Sequence, residues 1–226
     1  MQTYELELFD SHPLIKSEGG ERILIDTGSP ATIGSNSRLI FAGREYDIAT
    51  EYIGVTTKTL GELLGTEIDA LVGADILSEY KILIDYAGGR LTLDRKAIEF
   101  SGESCALEYF MGIPIIELEI GGKAVKCFLD TGAKLSYLDP GLLAGRNPVG
   151  EERDFYPGLG TFTTATYLVE TTLGATRFPV RYGELPPLLQ MSLMTGGAGG
   201  IIGSDIFNHF VVLLDAESES LVYKPA

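Results

Sequence analysis

The sequence predicts a mainly β protein built from two lobes of similar design. Short apolar or alternating runs, separated by Gly, Asn, Pro or Asp, recur along the chain and are typical of strands joined by turns. An apolar run that ends in Asp-Thr-Gly occurs at 23–29 and again at 127–133. A second pair of similar segments follows at 71–77 and 201–207. Paired motifs in the same order indicate an internal duplication.

The spacing of these motifs defines the two copies. The Asp-Thr-Gly elements begin at Asp26 and Asp130, 104 residues apart, and the apolar-apolar-Gly elements end at Gly73 and Gly203, 130 residues apart. We therefore expect an N-terminal lobe over 1–98 and a C-terminal lobe over 104–226. The predicted strands are 4–8, 23–26, 38–41, 45–48, 82–85, 91–93, 114–120, 125–130, 161–171, 176–182, 211–215 and 220–223. The N-terminal strand, 4–8, is expected to pair with 221–223 in a sheet between the lobes.

A few short helices complete the prediction. Apolar residues recur at helical spacing over 57–64 and 187–194. Asp75 and Asp205 are each well placed as the N-cap of a further helix, an interpretation that we prefer to a catalytic role. The glycine-rich run at 196–200 precedes a strand and opens no helix, so we interpret it as a loop and not as a phosphate site.

The second copy contains extra residues. Asp26 and Gly73 are 47 positions apart, whereas Asp130 and Gly203 are 73 apart, a difference of 26. The additional segment falls within 147–178 and contains a strand, a turn with two glycines and a long strand. It predicts a projecting β-hairpin on the second lobe alone.

Composition excludes several classes of function. The chain has 226 residues and a net charge of −15, which disfavours nucleic acid and anionic membranes as partners. The acidic N-terminus lacks the pattern of a signal peptide and no apolar run is long enough for a membrane helix, so a cytoplasmic protein is expected. Cys105 and Cys127 are expected to be reduced, buried thiols. His12 and His209 have no metal-ligand spacing, and we expect neither a metal nor a cofactor.

The motifs resemble those of aspartic peptidases of the retropepsin and pepsin group. Asp26-Thr27-Gly28-Ser29 with Leu71-Val72-Gly73, and Asp130-Thr131-Gly132-Ala133 with Ile201-Ile202-Gly203, match the family pattern in duplicate. The resemblance implies a single-chain, two-lobed retropepsin-like fold with pseudo-twofold symmetry. Asp26 and Asp130 would be catalytic and meet across the axis. The residues that follow each aspartate would support the loops: Thr27, Gly28, Ser29, Thr131, Gly132 and Ala133.

Such a pair would hydrolyse peptide bonds. Two adjacent carboxyl groups cannot both ionise easily, so one can activate a water while the other protonates the substrate carbonyl. Ser29 could donate a hydrogen bond to Asp26, whereas Ala133 has no side-chain donor. We therefore expect Asp26 to be the ionised partner and Asp130 the protonated one, and Ser29→Ala to raise the acidic limb of the pH–rate profile.

The placement of the hairpin departs from the family pattern. The only candidate flap lies on the second lobe, and the first lobe has no room for one. We expect the hairpin to close over an extended peptide. Its side chains would line the cleft at Phe155, Tyr156, Leu159 and Phe162, with Gly158 and Gly160 in the turn. Their alternative role is an apolar patch that holds the hairpin to its own lobe. The leading function is an aspartic endopeptidase, active as a monomer on a peptide or protein substrate. The alternatives are a non-hydrolytic peptide-binding or scaffolding module and a β domain with coincidental Asp-Thr-Gly turns.

Overall fold

The computed structural model describes residues 1–157 and 159–226, and strands dominate it. In the first lobe the elements are β1 (Gln2–Glu5), β2 (Glu7–Phe9), β3 (His12–Lys16), β4 (Arg22–Ile25), β5 (Ile33–Gly34), β6 (Arg38–Phe41), β7 (Arg44–Asp47), α1 (Thr57–Leu64), β8 (Ala70–Val72), α2 (Ala74–Leu77), β9 (Lys81–Asp85) and β10 (Arg90–Asp94). In the second they are β11 (Glu103–Ala106), β12 (Glu108–Phe110), β13 (Ile113–Ile120), β14 (Lys123–Leu129), β15 (Ser136–Leu138), α3 (Pro140–Leu143), β16 (Gly150–Tyr156), β17 (Gly160–Leu173), β18 (Thr176–Glu184), α4 (Pro187–Thr195), β19 (Gly200–Ile202), a 3₁₀ helix (Ser204–Asn208), β20 (Phe210–Asp215) and β21 (Ser220–Pro225).

The two lobes are built on sheets of related topology. The first-lobe sheet has the strand order β2-β3-β4-β8-β5. The second-lobe sheet has the order β12-β13-β14-β19-β15-β18-β17-β16, so its first five strands repeat the first-lobe order. Strands β18, β17 and β16 are the extension, and β16 with β17 forms the long hairpin expected within 147–178. The predicted two-lobed, mainly β architecture is confirmed.

A third sheet joins the lobes. Its order is β1-β10-β9-β20-β21-β11, with three strands from each lobe, and β9 pairs antiparallel with β20 at its centre. The prediction that 4–8 would pair with 221–223 is wrong. Tyr4 lies opposite Leu91 in β10, and Cys105 of β11 lies opposite Leu221 in β21. Each lobe therefore closes the outer edge of this sheet with its own leading strand, which leaves β21 no free edge for β1.

The helices follow the predicted positions. Helix α1 begins after Thr56, whose hydroxyl accepts the N–H of Thr59 in a reciprocal capping box, and it ends at Gly65 with a φ of 79°. Leu60 and Leu64 on its inner face are buried. Helix α4 begins with Pro187, whose fixed φ suits a first helical position. No helix within 1–157 or 159–226 is long and apolar enough to cross a membrane.

The two predicted N-caps have other roles. Gly73 and Gly203 occupy the cap positions, and Asp75 and Asp205 lie inside the first turn of their helices. Asp75 accepts hydrogen bonds from the backbone N–H and the hydroxyl of Thr32, at 2.9 and 2.6 Å. The carboxylate of Asp75 thus anchors the chain that follows the first Asp-Thr-Gly element. A tertiary partner 43 positions away explains why the local cap pattern misled.

The β6–β7 hairpin of the first lobe packs into the main core. Phe41 is fully buried between Tyr4 and Tyr80, with ring centroids 6.1 and 6.0 Å apart. This hairpin therefore cannot project over the opposite lobe. Both cysteines are unpaired, as expected, although Cys105 is only partly buried.

Four reciprocal hydrogen bonds lock the lobes together below the two Asp-Thr-Gly loops. The hydroxyl of Thr27 donates to the carbonyl of Leu129 at 2.7 Å and accepts the N–H of Thr131 at 3.0 Å. The hydroxyl of Thr131 donates to the carbonyl of Ile25 at 2.7 Å and accepts the N–H of Thr27 at 3.0 Å. Both threonines are buried, so these bonds are shielded from water.

Thr27→Val tests this threonine lock. The substitution leaves the Leu129 carbonyl and the Thr131 N–H without their partner, and each unpaired buried group costs about 1–3 kcal/mol. We expect the free energy of unfolding, measured in urea, to fall by about 2–6 kcal/mol. Thr166→Val is the matched control, since the Thr166 hydroxyl is buried without a partner and its removal should be neutral or stabilising. Equal effects of the two substitutions would contradict the role of the lock.

Candidate active site

Each Asp-Thr-Gly aspartate lies at the end of a strand that runs parallel to an apolar-apolar-Gly strand. Beside β8, the N–H of Asp26 donates to the carbonyl of Val72 at 3.0 Å. Beside β19, the N–H of Asp130 donates to the carbonyl of Ile202, also at 3.0 Å. The two motif pairs therefore place both aspartates in the same local geometry, one from each lobe.

The carboxyl groups of Asp26 and Asp130 meet across the lobe interface, close enough for each to influence the ionisation of the other. A Cβ atom on Gly28 would lie only 2.1 Å from Cγ of Asp130, and one on Gly132 only 2.4 Å from Cγ of Asp26. A side chain at either position would collide with the opposite carboxyl group. Glycine is needed here for close approach, which is a stricter requirement than backbone flexibility.

Backbone amides hold the two carboxylates. Oδ1 of Asp26 accepts the N–H groups of Gly28 and Ser29, both at 2.9 Å, and Oδ1 of Asp130 accepts the N–H of Gly132 at 2.8 Å. The expected bond from the Ser29 hydroxyl is wrong, because Oγ donates to the carbonyl of Ala31 at 2.8 Å. A serine hydroxyl often satisfies a nearby backbone carbonyl in this way. The structure accordingly removes the basis for the expected effect of Ser29→Ala.

The two aspartates are electrostatically unequal. Burial, the charge of Asp26 and the hydrogen bond between them raise the pKa of Asp130 well above its ordinary value. Burial also raises the pKa of Asp26, but the hydrogen bond from Asp130, the N–H groups of Gly28 and Ser29 and the positive charge of His12 oppose this rise. The N–H groups of Gly132 and Ala133 likewise oppose the rise in the pKa of Asp130, so the backbone stabilises both carboxylates in the same way, whereas the charge of His12 favours the ionised form of Asp26.

The pair lies in a cleft of about 450 Å³ between the lobes. The lining is mostly apolar. It also contains a few polar side chains that could bind a polar group of a ligand, as is usual for ligand sites. Among the lining residues are His12, Leu24, Ser29, Ile33, Tyr52, Ile53, Val55, Leu60, Leu64, Leu71, Ala133, Lys134, Tyr137, Asp154, Phe155, Tyr156, Pro157, Phe162, Leu189 and Ile201.

Some residues of the hairpin line the cleft, and others pack against their own lobe. We call β16, β17 and their connection, residues 150–173, the flap hairpin. Phe155 packs against the apolar cluster of the first lobe and so crosses the cleft. Phe162 lines the cleft but packs against its own lobe, with its ring 6.2 Å from that of Tyr137. The flap hairpin consequently contacts both walls of the cleft.

Tyr156 lies near the tip of the flap hairpin and lines the cleft. Burial and the charges of Asp130 and Asp26 raise the pKa of its hydroxyl, which places the hydroxyl within electrostatic reach of both carboxyl groups. Leu159 is 41% exposed and does not belong to the lining, contrary to expectation. Gly160 begins β17 with a φ of 79°, and Gly158 lies outside the described residues.

The first lobe contributes a short turn that the sequence did not lead us to expect. Tyr52 and Val55 form a bridge, and Ile53 and Gly54 between them have φ values of 49° and 74°. Tyr52, Ile53 and Val55 all line the cleft. A signal was present in Ile53-Gly54, since a glycine in a two-residue connection is typical of tight hairpin turns.

His12 is a second cleft residue that the sequence interpretation missed. It is 3% exposed and its ring stacks on that of Phe155, with centroids 6.0 Å apart. Its position could have been found from the duplication, because His-Pro-Leu-Ile at 12–15 corresponds to Ile-Pro-Ile-Ile at 113–116. Lys134 was also missed; it joins the lobes by an ion pair with Asp10, at 2.9 Å.

The second lobe of the chain matches a known protein family. Residues 112–215 match the family model described as retroviral aspartyl protease, a span that includes the second Asp-Thr-Gly loop and the flap hairpin. No curated protein matches the sequence. Solved structures with a similar chain include a retropepsin-like aspartic protease from Rickettsia conorii, which is 14% identical over 56% of this chain and 96% of its own, with a TM-score of 0.38.

The family match and the paired loops agree on the same kind of site. The matched span supplies Asp130, and the other lobe supplies Asp26 in an equivalent loop. The match supports aspartic protease activity in general. The second lobe is therefore similar to retroviral aspartyl proteases, and the first lobe repeats its Asp-Thr-Gly loop.

Proposed function

We propose that the protein is an aspartic endopeptidase that hydrolyses peptide bonds with a water activated between Asp26 and Asp130. The observation that carries this proposal is the close approach of two buried carboxyl groups, one from each lobe, that line the same cleft. One ionised and one protonated carboxyl group supply a general base and a general acid at the same place. The pair titrates as a unit, as expected for strongly coupled groups.

The reaction needs two proton-transfer steps. In the first, Asp26 takes a proton from the water as the water oxygen attacks the carbonyl carbon, and Asp130 gives its proton to the carbonyl oxygen. In the second, Asp26 gives its proton to the amide nitrogen as the C–N bond breaks, and Asp130 recovers a proton from the gem-diol. The backbone N–H groups of Gly28 and Ser29 donate to Asp26, and that of Gly132 donates to Asp130. These bonds keep each carboxyl group in position throughout.

The cleft is suited to an extended peptide. A substrate strand would lie between the aspartate pair and the flap hairpin, with alternate side chains directed into pockets on either wall. Leu24, Leu60, Leu64 and Leu71 form an apolar pocket on the first-lobe side. Phe155 contacts this cluster, so a side chain that enters the pocket would lie beside the flap hairpin.

A single chain supplies the whole site. Asp26 and Asp130 come from different lobes of one chain, so we propose that the monomer is active on peptide or protein substrates. The repeated strand order of the two sheets supports an origin of the lobes by duplication of one unit. Only the second copy carries a long hairpin among the described residues, which makes the two copies functionally unequal.

Peptide-library cleavage between pH 3 and 7 tests the proposal. We expect the wild type to cleave and Asp26→Asn and Asp130→Asn each to lose at least about 10²–10⁴-fold in rate, since each removes a general acid or base. Asp47→Asn is the matched control, because its side chain is 91% exposed and is not part of the cleft lining. A statine-type inhibitor should block the wild type. Peptide binding without cleavage by the wild type would instead identify a peptide-binding module.

A second test measures protein stability and needs no substrate. The pKa of Asp130 is higher in the folded protein than in the unfolded chain. Stability is therefore lost as the pH rises from the unfolded-state pKa through the folded-state pKa, because the buried group must then ionise. Asp130→Asn removes this cost. The increase in Tm of the variant over the wild type should therefore be larger at pH 7 than at pH 4. Each kcal/mol corresponds to about 2–4 °C for a chain of this size. The same gain at both pH values, or a loss at pH 7 only, would contradict the assigned protonation.

A further inference from the structure

The two halves of the cleft differ at one equivalent position. His12 begins β3 after a turn at Asp10 and Ser11, whose φ values are 46° and 69°. Ile113 begins β13 after the corresponding turn at Met111 and Gly112, with φ values of 53° and 81°. A side chain that can carry a positive charge is thus present on the Asp26 side and replaced by a hydrocarbon on the Asp130 side.

Two contacts hold the His12 ring in a defined orientation. Nδ1 is 3.2 Å from the carbonyl of Phe9, and because a carbonyl can only accept, Nδ1 carries a proton and donates it. The ring also stacks on Phe155 at an interplanar angle of 24°. Nε2 makes no hydrogen bond with residues 1–157 or 159–226, so a second proton would be added at Nε2.

The other charged groups around His12 are already paired. From the loop after the second Asp-Thr-Gly element, Lys134 pairs with Asp10 of the β2–β3 turn at 2.9 Å and with Glu152 of the flap hairpin at 3.4 Å. Asp154 of the flap hairpin accepts the hydroxyl of Tyr137 and the N–H of Phe155. The remaining titratable groups of the cleft lining are Tyr52, Tyr156 and the two aspartates. His12 therefore faces the aspartate pair as the one unpaired basic side chain of the described lining.

We propose that His12 is a positioning residue of the reaction, which as an imidazolium directs the negative charge of the pair onto Asp26 and leaves the transferable proton on Asp130. Its consequence for catalysis rests on the proposed peptidase function. The positive charge of His12 opposes the rise in the pKa of Asp26 caused by burial, whereas the equivalent position on the Asp130 side is the hydrocarbon Ile113. His12 therefore favours Asp26 as the general base and Asp130 as the general acid.

Carbon-13 NMR of the aspartate carboxyl groups tests His12 without substrate. The Asp26 signal is identified by its loss in Asp26→Asn, and its titration midpoint is compared between variants. His12→Phe retains a ring that can stack on Phe155, and His12→Gln retains a donor for the Phe9 carbonyl, but neither carries the charge. Both should raise the Asp26 midpoint by about one pH unit, as expected for loss of a nearby opposite charge.

His209→Phe is the matched control, since His209 packs on Phe178 and Phe210 and is outside the cleft lining. It should leave the Asp26 midpoint unchanged. The charge is the one property of His12 that both variants lose. An unchanged midpoint in both variants, or a shift in only one of them, would therefore overturn the proposal.

Kinetics extend the same comparison to the reaction. The acidic limb of the kcat/KM profile depends on ionisation of Asp26, so it should move to higher pH by the same amount in both His12 variants. An acidic limb that stays in place while the NMR midpoint moves would overturn the role of His12 in catalysis. If no peptide is cleaved at all, the proposed peptidase function fails, and the NMR titration still decides whether His12 controls the charge of the pair.

Discussion

The close approach of two buried carboxyl groups is the constraint on which the rest of the structure depends. Asp26 and Asp130 can share a hydrogen bond only if the two loops pass each other without side chains, which is why Gly28 and Gly132 follow them. Burying two carboxyl groups side by side is unfavourable, so the surrounding structure must oppose their separation. The threonine lock does this directly below the pair, and the six-stranded sheet does it over a larger area.

A nearly symmetric framework holds a chemically asymmetric site. The sheets repeat one strand order, and the backbone contacts of the two aspartates match closely. The differences come from what each lobe adds: the first supplies His12, and the second supplies the flap hairpin. A hydrolytic pair needs a base and an acid, so such asymmetry has a direct chemical use. In the proposed reaction, this asymmetry gives Asp26 and Asp130 different roles before any substrate binds.

One hairpin serves both walls of the cleft. The β6–β7 hairpin of the first lobe is committed to the core through Phe41, so it cannot cover the site. Phe155 instead reaches from the second lobe to the apolar cluster of the first, while the turn at 52–55 lines the cleft from the opposite side. Phe155 therefore links the flap hairpin of the second lobe to the first-lobe wall of the cleft.

The sequence by itself determined the elements whose causes are local or repeated. Helix α1 was predictable because its capping residues and apolar spacing lie within the segment, and the aspartate pair was predictable because a duplicated motif implies equivalent positions. Tertiary structure alone decided the partner of Asp75. This side chain binds Thr32, 43 positions away, because that distance is created only by folding. His12 acquired its significance in the same way, when folding brought β3 beside the aspartates and the flap hairpin.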